Sequence, residues 1–169
     1  GHCWSLDSMP DINDSISVFT EYSSKAFISD LLSLNHHSTY FIRAYFKSGD
    51  FVGYSDQMTF KTLEIKVPTI VTKNYENLKA KSVQSGGDVT NNNGSEVVAR
   101  GVCWSKSENP VITDSITTDS LGLGSFVSQV QNLEIDTKYY LRAYATNEVG
   151  TGYGDAVSFT TKDGIPKIS

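Results

Sequence analysis

One strand-length motif occurs twice in the chain and sets what the rest can fold into. Residues 38 to 46 read S-T-Y-F-I-R-A-Y-F and residues 137 to 145 read T-K-Y-Y-L-R-A-Y-A, each following a leucine, Leu34 or Leu133. In a period of two, Tyr139, Leu141, Ala143 and Ala145 share one face and Tyr140, Arg142 and Tyr144 the other, the pattern of a half-buried β-strand. The first face is the apolar one and is expected to point inward. Two such strands about 100 residues apart predict two similar units rather than one large domain.

Laying residues 1 to 62 over 101 to 161 extends the match, with a one-residue slip expected between residues 17 and 26. Cys3-Trp4-Ser5 falls on Cys103-Trp104-Ser105, Asp14-Ser15-Ile16 on Asp114-Ser115-Ile116, Arg43-Ala44-Tyr45 on Arg142-Ala143-Tyr144, and Gly53-Tyr54 on Gly152-Tyr153. Aromatic, glycine and turn residues dominate the shared set, which marks a repeat of architecture. No stretch keeps a helical apolar period, so the chain is expected to be all-β. A formal net charge of -5 with interspersed signs argues against a nucleic-acid surface or a polybasic membrane patch. No apolar run approaches the roughly 18 residues of a membrane-spanning helix, so no membrane insertion by this segment is expected. The start at Gly1, aligned with Gly101, suggests a fragment that begins inside a repeat.

Only the second copy has its full front end. Pro68 to Thr72 predicts a first strand, Ala80 to Thr90 a second with a bulge at Gly86-Gly87, and Val97 to Ser105 a third that carries Trp104 into the core. A long polar connection from Asn109-Pro110 to about Leu123 leads to strands at Phe126 to Leu133, 137 to 145, and Ala156 to Thr161. The expected division is therefore a partial sandwich over 1-62 (strands C to G), a short stiff linker at 63-67 that makes the pair a restricted rod, a complete sandwich over 68-162, and the start of a further repeat at 163-169. The first unit lacks its first two strands, leaving Trp4, Tyr40 and Phe60 on an open face. Strand complementation by a neighbouring chain, or strands from a longer parent protein, would cover it.

The stretch Leu133 to Ala145, L-x-x-x-T-x-Y-x-L-R-A-Y-A in outline, resembles the sixth strand and tyrosine corner of fibronectin type III domains. The fuller pattern, G-V-C-W-S through N-P, G-x-G-x-F, the organising strand, T-N-x-x-G-x-x-Y-G and F-T-T, resembles the fibronectin-III-like repeats of Bacteroidetes surface and secreted proteins. The resemblance implies tandem immunoglobulin-like (fibronectin type III-like) β-sandwiches, with Tyr40 and Tyr139 as structural corner tyrosines. It further implies an extracellular or cell-surface location, outer membrane-anchored or secreted. Residues 47 to 52, K-S-G-D-F-V, depart from the repeat's T-N-x-x-G-T.

Candidate sites are few. Phe41, Arg43, Tyr45, Tyr140, Arg142 and Tyr144 on the outward face could stack on sugar rings or contact protein, against the plainer reading of sheet-face packing. His36-His37 lack further ligands at metal spacing, and Asp114, Asp119 and Asp136 lack the dense oxygen set of a calcium loop. No cofactor or metal is expected. Cys3 and Cys103, at equivalent positions of separate units, read as apolar filler without a disulfide. Ser15 and Ser115, with Ser8 and Ser120, sit in Asp-Ser pairs that match an O-glycosylation signal of the resembled group, and Asn13 and Asn93 in Asn-x-Ser acceptors. No nucleophile-base motif or phosphate loop is present and the chain has three His, so no enzyme is expected. The readings that remain are a non-catalytic structural or adhesion module spacing other domains of the same polypeptide, and, as the alternative, a carbohydrate-binding accessory of a polysaccharide-utilisation system.

Overall fold

The computed structural model describes residues 1–19 and 26–165, which form strands and loops without a helix. Two compact units result, Gly1–Glu64 and Ile65–Ser169. The expected slip between 17 and 26 and the tail from residue 166 fall largely or wholly outside the described residues.

The first unit holds β1 (His2–Ser5), β2 (Ser15–Ile16), β3 (Thr39–Ser48), β4 (Phe51–Tyr54) and β5 (Met58–Lys61). The second holds β6 (Thr69–Glu76), β7 (Val83–Asn91), β8 (Ala99–Ser105), β9 (Ser115–Ile116), β10 (Gly124–Val130), β11 (Lys138–Thr146), β12 (Thr151–Tyr153) and β13 (Val157–Thr160).

In the second unit a three-stranded sheet, β10-β7-β6, faces a five-stranded one, β9-β8-β11, in which β12 and β13 both pair with the far edge of β11. All pairings are antiparallel. This is the immunoglobulin-like, fibronectin type III-like sandwich. Val83, Val89, Phe126 and Val130 of one layer meet Val102, Leu141, Ala143, Ala145 and Phe159 of the other in one buried cluster. Alternation along β11 produces this directly, because Tyr139, Leu141, Ala143 and Ala145 all point inward.

Several expectations change. β6 runs on to Glu76, and Thr151–Tyr153 add a further strand, β12. Gly86-Gly87 is not a bulge, since both residues pair in unbroken register with Phe126 and Val127 on one side and Thr72 and Lys73 on the other. The register shifts of β6 and β7 fall between Thr69 and Ile70 and between Lys73 and Glu76. The glycines serve close approach instead: a Cβ on Gly87 would lie 2.6 Å from that of Ala143 across the sandwich, and one on Gly86 would overlap the Phe126 carbonyl. Trp104 sits at the margin of the core, packed against it while half-buried. Of the linker expected at 63-67, Lys66 and Val67 are tied into the second unit, with the Lys66 amide donating to Asn93 O (3.1 Å) and Val67 O accepting from the Asn93 side chain (2.7 Å).

The first unit forms one sheet, β2-β1-β3-β4 with β5 also on β3. It reproduces the larger layer of the second unit, and no facing layer forms among the described residues. The strand expected near residue 27, counterpart of β10, does not form: residues 26–33 carry no strand pairing. The cause is topological. β10 pairs with β7, and among the described residues of 1–64 no strand takes the place of β7 to offer hydrogen bonds. Its inner face is open only in part: Trp4 and Tyr40, expected on an open face, are 7% and 6% exposed and Phe60 is half-buried, whereas the far end of β3 is uncovered. Phe46 is 59% exposed where Ala145 is 0%, and Ile42 is partly exposed where Leu141 is fully buried.

Candidate functional site

The outward face of β11 is a clamp between elements. The Arg142 guanidinium lies over the Tyr153 ring at 4.0 Å, not between Tyr140 and Tyr144, and its Nε and Nη2 donate to the carbonyls of Pro110 and Asn109. Tyr144 is 3% exposed and its hydroxyl donates to Thr117 O at 2.7 Å. Burial pushes its phenol above the usual range. The connection from residue 109 to 123 folds back over this face and adds β9 to the sheet edge, which corrects the placement of Tyr144 on an open surface. The first unit repeats the arrangement. Arg43 stacks on Tyr54 at 4.4 Å and donates to Ser55 O, and the half-buried Tyr45 hydroxyl donates to Ser17 O at 3.0 Å. Phe41 and Tyr140 remain half-exposed, with Tyr140 donating to Glu108 at 3.1 Å beneath the Lys138 ammonium.

Other singled-out residues also bind backbone. The Tyr139 hydroxyl accepts from the Glu134 amide at 3.2 Å, and that of Tyr40 from the Asn35 amide at 2.9 Å. Cys3 and Cys103 are free and fully buried, each thiol donating to a proline carbonyl, Pro10 or Pro110, at 3.3 Å. Burial raises both thiol pKa values, with Arg43 or Arg142 acting in the opposite sense. Asp14 and Asp114 each cap a turn, accepting from the amides of Asp11 and Val111. Asp136 takes a left-handed turn at φ 46°, and Asp119 accepts from Thr117 and Ser128. His36 and His37 are exposed in the loop before β3. Ser8, Ser15, Ser115 and Ser120 are exposed, and Ser120 also accepts from Arg100.

Two features escaped the sequence reading. Arg100 is buried, its Nη1 donating to three successive carbonyls, Gly122, Leu123 and Gly124, while its Nε has no partner. A charged residue at an inward position of β8 was the available signal. The other is a cleft of about 750 Å³ beside Trp104, walled by Lys106, Ser115, Gln131, Asn132 and Glu134 with Leu133 and Tyr139 beneath. These residues come from segments far apart in sequence, so no local pattern announces the cleft.

No protein-family model matches the chain, and no curated protein matches it. Among solved structures it is similar to one described as a myokine structure, at 21% identity and TM-score 0.43 over 59% of this chain and 99% of that one. It is also similar to the sixth fibronectin type III domain of human fibronectin type III domain containing protein 3, at 24% identity and TM-score 0.41 over 62% and 90%. A crystal structure of titin domains aligns at 14% identity and TM-score 0.47 over 96% of this chain and 54% of that one.

Proposed function

We propose that the chain is a non-catalytic extracellular structural module, spacing or presenting other domains of a bacterial surface protein of the Bacteroidetes type. The observation that carries this reading is what the polar side chains common to both units do. Arg43 and Arg142, Tyr45 and Tyr144, Tyr40 and Tyr139, Cys3 and Cys103, and Asp14 and Asp114 all bond to backbone within their own unit. What the duplication preserves is therefore mechanical. A catalytic repeat would keep a nucleophile, base or paired carboxylates around a common cleft in both copies.

In this reading the uncovered part of the first unit is completed by a strand pair of the β6–β7 kind, supplied by the longer parent protein or by a neighbouring chain. Location is tested with an antibody against residues 65–165 on intact cells of the source organism. Labelling without permeabilisation is expected, and labelling only after permeabilisation overturns the extracellular role. Replacing Arg142 by Met is expected to lower the melting temperature without abolishing any turnover. Loss of a hydrolytic or transfer activity in that variant would instead make the clamp a catalytic element.

A further inference from the structure

We propose that the cleft beside Trp104 is a binding site for a neutral saccharide. The two units share the tryptophan but not its surroundings. At the positions of Lys106, Gln131, Asn132 and Glu134 the first unit carries Leu6, Leu32, Ser33 and Asn35, and its Trp4 is 7% exposed. The sheet thus folds around the indole without that polar rim, so folding alone does not account for the rim of the second unit.

The chemistry of the rim selects the ligand class. Trp104 packs against the buried cluster and lines the cleft, which gives an indole surface held in one orientation. The apolar C–H face of a pyranose ring suits such a surface, and its ring hydroxyls suit planar amides that donate and accept, a carboxylate that accepts and an ammonium that donates. Gln131 and Asn132 supply the amides, Glu134 the carboxylate and Lys106 an ammonium 2.6 Å from it. This pair is internally neutralised. Asp114 on the wall adds one negative charge, which disfavours acidic sugars.

The backbone that carries the rim is also held in place before any ligand arrives. The Glu134 amide donates to Tyr139 Oη (3.2 Å), its carbonyl accepts from the Thr161 hydroxyl (2.6 Å), and the Leu133 amide donates to Lys81 O (3.0 Å). Asn132 sits at φ 59°, matching Ser33 at φ 56° in the first unit, so the turn geometry is common and the side chains differ. Rigid support of this kind reduces the entropy lost on binding.

The test is intrinsic fluorescence of the full chain in a Trp4→Phe background, where Trp104 is the reporter. Cellotetraose, mannotetraose, xylotetraose and galactotetraose are titrated to 10 mM, with tetragalacturonate as the acidic comparator. Saturable change with at least one neutral oligomer is expected, together with at least tenfold weaker response to the acidic one. Trp104→Ala risks misfolding, so the decisive variant transplants the first unit's rim: Lys106→Leu, Gln131→Leu, Asn132→Ser and Glu134→Asn. It is expected to keep the melting profile and lose at least tenfold in affinity. No response to any neutral oligomer, an equal response to the acidic one, or undiminished binding by the transplanted rim each overturns the proposal. None of these outcomes touches the spacer role, which does not depend on the cleft.

Discussion

At Cys103 the thiol shows how inward-turned the chemistry of this chain is. It is fully buried, and burial holds its pKa above the ordinary thiol range. A thiol reagent should therefore label Cys103 only on unfolding, and rapid labelling of the native chain at pH 8 would contradict the packing. The sign of the pH effect follows. An acid whose pKa is higher in the folded state binds more protons there, so its contribution is complete below the ordinary thiol range and is lost as pH rises through the elevated value. Urea unfolding from neutral pH to about pH 10 should show a shallower decline for Cys103→Ala than for the parent chain. A second residue-scale expectation concerns Tyr139→Phe, which strands the Glu134 amide and should cost about 0.5–1.5 kcal/mol by urea unfolding. An undiminished midpoint would show that amide to be met by solvent. Alternation along a strand makes the inward set legible, because Leu141, Ala143 and Ala145 need only the period. It cannot show that a connection whose Thr117 lies 27 residues earlier folds over Tyr144, nor that Arg142 takes its ring from Tyr153 on another strand. Both are tertiary facts.

At the scale of elements, the glycines record which layers touch. In the second unit a Cβ on Gly152 would overlap the Pro68 carbonyl, where the segment leading into β6 crosses β12. In the first unit the three atoms nearest a Cβ on the equivalent Gly53 all belong to the Phe46 ring, the far end of a side chain. Gly152→Ala should therefore destabilise the second unit by about 1–3 kcal/mol, while Gly53→Ala should cost well under that. Differential scanning calorimetry of the two variants compares them directly, and equal losses would mean that the Pro68 contact is not the cause. Element existence was legible wherever the pattern carried its own period, as in β3, β8 and β11. Residues 26–33 show the limit. Phe27 matches Phe126, yet the matching stretch is a strand only where β7 is present to pair with it. Strand identity there depends on a neighbour, which no local window contains.

For the molecule as a whole, the two units predict different behaviour because one has two layers and the other has one. A fragment of residues 65–165 should melt in one cooperative transition with little binding of an apolar dye, whereas the full chain should bind the dye through Ile42, Phe46 and Met58. The supply of a missing layer from a neighbouring chain can be tested on the same face. A peptide of residues 65–98, carrying β6 and β7, should displace the dye from the full chain. One residue tunes this. In the second unit Thr72 Oγ1 accepts from the Ala143 amide at 2.9 Å, and Gly154 leaves room for it, since a Cβ there would overlap that hydroxyl. In the first unit Ser55 stands at the position of Gly154, and its own hydroxyl accepts from the Ala44 amide at 3.0 Å. An incoming strand must displace that hydroxyl before its threonine can bond Ala44. Ser55→Gly frees both the space and the amide, so it should tighten peptide binding several-fold while lowering the stability of the first unit on its own, the exposed amide losing about 0.5–1.5 kcal/mol of hydrogen bonding. Titration of dye displacement in the parent and the variant measures the effect. Weaker binding by the glycine variant would mean that any strand completing this unit docks in a different register from β6, and the second unit would then be the wrong template for its missing layer.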